Sequence, residues 1–400
     1  MRHVVLGAGP AGLAALASIR RADPSARITL VSGEPGPPYA RMALPYYLSG
    51  ELSGRLLYPH PASWYRSPGV ELRFGDPAEE LDLPRREVLL AGGDRLRFDR
   101  LLIATGSRPQ LREAPGIHLP QVHTLWTLAD ARRLRRKAAG AQEVVIWGAG
   151  MVAFLAAKAL LAPGRRVHFV CRAEHLLRRA LDREAAALLE QVLEEAGAVL
   201  HRGVNLAEIR PGPGKRCRVL LTDGRELPSD LVLVALGVLP NLDWLGDAPL
   251  ARRQGLLVDG SLETSASGVF AAGDVAEVPD CITGEPVVPA LWSVAVDQGR
   301  VAGLNMAGHR LSCDPALRAN TIVFHRYVVA TLGCPLLQDG TVVHRQLDRA
   351  RRTYRCLVLS RGRLVGAILA GDVTAAGYLR TLLRRGVRVA DPDEVWEAVP

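Results

Sequence analysis

Gly7, Gly9 and Gly12 stand near the start of the chain as Gly7-Ala8-Gly9-Pro10-Ala11-Gly12. Glycines at this spacing let a strand turn tightly into a helix, let the backbone approach a pyrophosphate, and let helix and strand pack closely. The helix N-terminus adds unpaired amides and the positive end of a dipole. Glu34 follows Gly12 by about 20 residues, where a carboxylate at the end of the next strand can accept ribose hydroxyl hydrogen bonds. Together these residues point to a dinucleotide site.

The elements needed to position them are legible. VVLGAG reads as a strand, PAGLAALASIRRA as a helix and ARITLVSGE as a second strand. Prolines and glycines then crowd residues 33–54, which predicts an irregular loop. The unit returns in EVVIWGAG, MVAFLAAKALLA and RRVHFVCR, with Gly148 and Gly150 in the turn and Ala153 in the third glycine position, a substitution the fingerprint tolerates. DREAAALLEQVLEEAGAVL reads as a helix running into a strand. After residue 310, TIVFHRYVVATLG, YRCLVLS and RLVGAILAG read as antiparallel strands, and AAGYLRTLLRRG as a helix. The expected fold class is α/β, with two Rossmann-like dinucleotide-binding domains, the second inserted in the first, and a small α+β C-terminal domain. The expected boundaries are 1–110 with 236–310, 111–235, and 311–400.

Composition narrows the function. At 48% hydrophobic and 23% charged, the 400-residue chain can bury sizeable cores. Its net charge of +9 invites a nucleic-acid reading. The basic residues are almost all scattered arginines, aromatics are few, and no stacking platform is evident, so nucleic acid is not an expected partner. The six cysteines stand alone, without CxxC spacing, so no metal or iron–sulfur site built from local pairs is expected. Isolated cysteines and the lack of a long apolar run predict a cytoplasmic protein with no membrane span.

Three further segments carry a resemblance. LLIATGSRP at 101–109, ALGVLPN at 235–241 and GVFAAGDVAEV at 268–278 resemble signatures of the pyridine nucleotide-disulfide oxidoreductase superfamily. EPGPPYARMALPYYLSGEL, LWSVAVDQGRVAGLNMAG and VGAILAGDVTAAGYLRTLLRRG resemble the FAD-containing portion of nitrite reductase large subunits and the rubredoxin and ferredoxin reductases. The resemblance implies FAD on the first unit. It assigns Asp274, beside Gly273, to the flavin's ribityl chain. Thr105 and Gly106 match the loop that returns to the FAD domain. Arg41 matches an arginine beside the FAD, and Trp292 is a candidate flavin wall. The iron–sulfur and sirohaem part of a nitrite reductase is absent from these 400 residues.

The chain also departs from the family. Met42 occupies the position of the cysteine in coenzyme A disulfide reductases, so no redox disulfide is expected. Leu155 stands where the family often has a glutamate near the nicotinamide, and Tyr46 where ferredoxin reductases of this type have a lysine. Cys171 replaces the ribose-binding glutamate. With that carboxylate gone, Arg165, Arg166 and Arg172 lean the expectation toward NADPH over NADH. No catalytic side chain is identified. The leading reading is an FAD-dependent NAD(P)H oxidoreductase that serves a protein or small-molecule electron acceptor, as a homo- or hetero-oligomer. The alternatives are a flavin subunit of a multi-subunit oxidoreductase that does not itself use NAD(P)H, and a non-catalytic FAD or nucleotide sensor.

Overall fold

A computed structural model describes residues 1–337 and 340–398. The chain divides into two compact units. Unit one comprises residues 1–42, 54–108 and 238–316; unit two comprises 43–53, 109–237 and 317 to the C-terminal end.

Unit one is built on a five-stranded parallel sheet. Its order is Val269–Ala271, Arg100–Ile103, Arg2–Leu6, Arg27–Ser32, Val70–Phe74. Its inner strands are covered on both faces, which is why VVL, LLI and VFA read as continuous apolar runs rather than alternating ones. Helix Pro10–Ala22 covers one face with helix Trp292–Met306 packed on it. The second helix approaches through glycines. A Cβ at Gly299 would lie 2.1 Å from the Ala11 carbonyl oxygen, and one at Gly303 would lie 2.6 Å from that of Ala15.

Unit two holds a second parallel sheet, in the order Ala198–Arg202, Arg166–Cys171, Glu143–Trp147, Leu231–Val234, Val122–His123. A five-stranded antiparallel sheet from the C-terminal part belongs to the same unit, with helix Ala376–Arg385 packed on it. Side-chain links tie it to helix Arg183–Glu195. The buried Tyr354 hydroxyl donates to Asp182, the helix N-cap, and Arg352 pairs with Glu195 at 2.8 and 2.6 Å.

The 33–54 segment is more ordered than its composition predicts. It contains the helix Leu44–Ser49, with Pro45 in the first turn and Gly50 closing it at φ +83°. Proline is harmless in a first turn, where its missing N–H has no helical partner, and glycine accepts the left-handed cap at no steric cost. This helix belongs to unit two although the chain on either side belongs to unit one. Arg135 lies 5.0 Å over the Tyr47 ring, and Lys158 Nζ sits 2.8 Å from Glu51 Oε2 and 5.6 Å from the centre of the Tyr46 ring.

Candidate nucleotide sites

In unit one the three glycines divide their work. Gly7 has φ +111°, and a Cβ there would lie 2.0 Å from the Ala104 carbonyl oxygen; a Cβ at Gly12 would lie 1.8 Å from that of Gly7. These two close the turn against its neighbours. Gly9 faces open space, with nothing within 4 Å of its would-be Cβ. It is the N-cap of helix Pro10–Ala22 and offers no side-chain cap, so the first helical amides are left for an anion. Pro10 and Ala11 begin that helix.

The carboxylates lie at strand ends. Glu34 follows strand Arg27–Ser32, accepts the Tyr39 hydroxyl at 2.5 Å and pairs with Arg41. Arg41 thus stands beside Glu34. Its charge also reaches Asp274. Asp274 is pushed toward protonation by burial, and this is opposed by the Ser107 hydroxyl, which donates at 2.7 Å, and by Arg41. Gly273, at φ +81°, is fixed by its amide, which donates at 2.7 Å to the buried Gln298 Oε1. Thr105 and Gly106 bond to Asn241. Thr105 Oγ1 donates to the Asn241 carbonyl at 2.9 Å, Asn241 Nδ2 to the Thr105 carbonyl at 2.9 Å, and the Asn241 amide to the Gly106 carbonyl at 2.9 Å. Trp292 opens its helix and is 52% exposed, so it is no core tryptophan. Ser107, Tyr39, Asn241 and Gln298 were not singled out in the sequence, although Asn241 closes the G-x-x-P-N signature. An open cradle at Gly9, an uncapped helix and two strand-end carboxylates fit an FAD.

Unit two repeats the turn. Gly148 has φ +139°, and its would-be Cβ meets the Ala235 carbonyl oxygen at 2.1 Å, while Gly150 faces open space. Gly150 is an N-cap without a side-chain cap for helix Met151–Leu160, and Ala153 is fully buried in the position of the third glycine. Cys171 ends its strand, buried, with its thiol pushed up to about 11 by burial and by the charge of Glu190.

The arginines expected to favour NADPH do not gather there. Arg165 donates to the carbonyls of Ala138, Ala141 and Leu160, and Arg166 pairs with Glu143 at 3.2 Å. Both lie at the start of the strand whose far end is Cys171. Of the three, Arg172 alone adjoins that far end, and it is exposed. Among the described residues no cysteine is in a disulfide, and burial raises the thiols of Cys171, Cys217, Cys313 and Cys356 to about 11. Among the described residues no group of three His, Cys, Asp or Glu could hold a metal, and no helix is long and apolar enough to cross a membrane.

The pattern of the family described as pyridine nucleotide-disulphide oxidoreductase matches residues 1–299. The chain belongs to this family. The rubredoxin NAD+ reductase C-terminal domain matches residues 327–387. The chain is 30% identical over 392 residues to the NADH-dependent phenylglyoxylate dehydrogenase subunit epsilon of Aromatoleum evansii, covering 96% of this chain and 91% of that one. It is 26% identical over 383 residues to the NADH-rubredoxin oxidoreductase of Clostridium acetobutylicum, covering 94% and 93%. Among solved structures, the ferredoxin reductase for the CYP199A2 system of Rhodopseudomonas palustris superposes with a TM-score of 0.90 at 28% identity, over 100% of both chains. This family member is an FAD-dependent NAD(P)H oxidoreductase, and its fold is the expected pair of nucleotide-binding folds with a small C-terminal sheet.

Proposed function

We propose that the chain takes hydride from NAD(P)H on unit two and delivers electrons from FAD on unit one to a small iron–sulfur protein. The observation that carries this is the pair of glycine turns, each with an open middle glycine and an uncapped helix. FAD supplies the step from a two-electron donor to one-electron acceptors. The protein's part is to bind and orient. Gly7, Gly9, Pro10, Ala11 and Gly12 would hold the FAD pyrophosphate, and Glu34 its ribose. Asp274, on the turn of Gly273, would accept from the ribityl chain. Thr105 and Gly106 would support that turn through Asn241. Arg41 and Trp292 would complete the site. Gly148, Gly150, Ala153 and Arg172 would hold the nicotinamide nucleotide. On this reading residues 1–110 with 236–310 form the FAD domain, 111–235 the NAD(P) domain and 311–400 the C-terminal domain, in a protein of the cytoplasm.

A second reading has support of its own. The Aromatoleum evansii relative is a subunit, and it matches this chain nearly end to end. In that reading the acceptor is a partner subunit of a hetero-oligomer. Anaerobic titration with NADH and NADPH, followed by addition of reduced-acceptor indicators such as a ferredoxin or a rubredoxin, tests the first reading. Flavin bleaching with no transfer to any free acceptor, together with copurification of an iron–sulfur subunit, would favour the second. A flavin reduced by dithionite alone would defeat both and favour a sensor.

A further inference from the structure

Unit two holds an open pocket of about 490 Å³, lined among others by Glu174, His175, Arg183, Glu190 and Arg202. It opens at the carboxyl ends of strands Arg166–Cys171 and Ala198–Arg202, the side on which open α/β sheets receive ligands. Glu190 rises from the middle of helix Arg183–Glu195 and is only 4% exposed. Its Oε1 accepts the Leu176 amide at 2.7 Å, and its Oε2 pairs with Arg202. The next amide, that of Leu177, donates at 2.8 Å to the Ala149 carbonyl inside the glycine turn. One carboxylate therefore fixes both the cavity wall and the loop that reaches the turn.

We infer that Glu190, held by Arg202, selects the unphosphorylated ribose of NADH and so takes over the role vacated at Cys171. This rests on the reading that unit two takes NAD(P)H. The charges of the cavity carry the argument. Arg202 is matched by Glu190, and Arg183 by Glu174. Both Glu190 oxygens are engaged too, but each carboxylate oxygen can accept a second hydrogen bond, so a ribose hydroxyl can join the Leu176 amide and Arg202 there, whereas a 2′-phosphate meets two carboxylates and two cations already paired. A charge-assisted bond of this kind discriminates on the order of 10- to 100-fold. The result opposes the lean toward NADPH that the missing strand-end carboxylate suggested. The field of Glu190 already reaches the strand end, because it helps to raise the Cys171 thiol.

The test is calorimetric binding of NAD+ and NADP+ to the FAD-loaded protein, with flavin absorbance and thermal melting as checks on folding. Wild type is expected to prefer NAD+ by about 10-fold or more. Glu190→Gln should weaken NAD+ by about 10-fold and strengthen NADP+, because Arg202 is released to meet phosphate. Glu190→Met with Arg202→Met replaces the buried pair by apolar groups, which such sites often tolerate; it should lose NAD+ affinity without gaining NADP+ affinity. A wild type that prefers NADP+ or binds neither nucleotide, or an unchanged NAD+ to NADP+ ratio in both variants, overturns the inference. A wild type that binds NAD+ selectively but whose flavin NADH does not bleach leaves the inference standing and defeats the oxidoreductase reading.

Discussion

His168 Nδ1 and His201 Nε2 face each other at 3.0 Å on neighbouring strands of unit two. Their outer partners fix the proton positions. Arg225 Nη1 donates to His201 Nδ1 at 3.0 Å, so His201 carries its proton on Nε2 and donates it to His168. His168 in turn donates from Nε2 to Glu143 at 3.3 Å. Both rings are thus neutral, and a second proton on either would face a donor.

Burial lowers the pKa of both rings, and also of His3 and His123. The unfolded chain takes up these protons near its ordinary value of 6.5, before the folded chain does. Stability from these groups is therefore complete above about pH 6.5 and is lost as pH falls below it. The expected outcome is a melting temperature that is flat from pH 7 to 8 and falls between pH 6.5 and 5. His3, whose two ring nitrogens have no hydrogen-bond partner among the described residues, supplies the sharpest case. His3→Val should raise the melting temperature at pH 5.5 more than at pH 7.5. Equal shifts at both pH values would contradict this account.

The glycine turn allows a separation of folding from binding. Gly9→Val adds bulk where there is open space, so the apoprotein should melt close to wild type while losing FAD. Gly12→Ala drives a Cβ into the Gly7 carbonyl and should lower stability by several kcal/mol, on the order of a severe core or backbone lesion. Melting curves of both apoproteins, with flavin fluorescence titration of the first, decide the matter. Tight FAD binding by Gly9→Val would remove this turn from the flavin site.

Asp274 is the next candidate to test. Asp274→Ala should weaken FAD by about 10-fold or more, the cost of a hydrogen bond to a charged group. Ser107→Ala should weaken it less, and should add nothing in the Asp274→Ala background, because its hydroxyl acts through that carboxylate. The readout is the FAD dissociation constant of the apoprotein. Full additivity would show that Ser107 acts elsewhere.

Much of this site could be read from the sequence because its signals are local. Gly7 to Gly12 encode a turn by spacing alone, and Glu34 follows at the distance one helix and one strand impose. The misses were long-range. Ser107 meets Asp274, and Gln298 meets Gly273, only because the sheet returns distant segments to one place. Arg165 and Arg166 lie close to Cys171 in sequence, but a strand's length places them at the other end of that strand. In the sequence Glu190 reads only as one residue of a helix running into a strand; nothing in its neighbours announces that Arg202 and the Leu176 amide await it.

With no cysteine before Cys171 in the chain, and with four of six thiols held protonated at neutral pH by burial, flavin reduction should not depend on cysteine. Single replacement of each cysteine by alanine should leave the rate of anaerobic bleaching by NAD(P)H within about 2-fold wherever the variant keeps its FAD. A folded, FAD-loaded variant that bleaches far more slowly would reinstate a thiol in the reaction.

Lys158 and Glu51 supply the last prediction. Tyr46 on the helix Leu44–Ser49 and Leu155 on the helix Met151–Leu160 are both neutral. Lys158 follows Leu155 by one helical turn, on the same face, and its ammonium lies over the Tyr46 ring while bonding Glu51. The Lys158 side chain is only 15% exposed, so a second cation beside it would be poorly screened. Tyr46→Lys alone removes the aromatic face and sets two ammonium groups together. It should lower the melting temperature, by an amount that salt reduces only slightly. Tyr46→Lys with Leu155→Glu restores an acid for the new lysine and should recover most of the loss. The measurement is thermal melting of both variants at 50 and 500 mM salt. If Tyr46→Lys is as stable as wild type at low salt, or if the added glutamate brings no recovery, then the neutral residues at 46 and 155 are not an adaptation to Lys158.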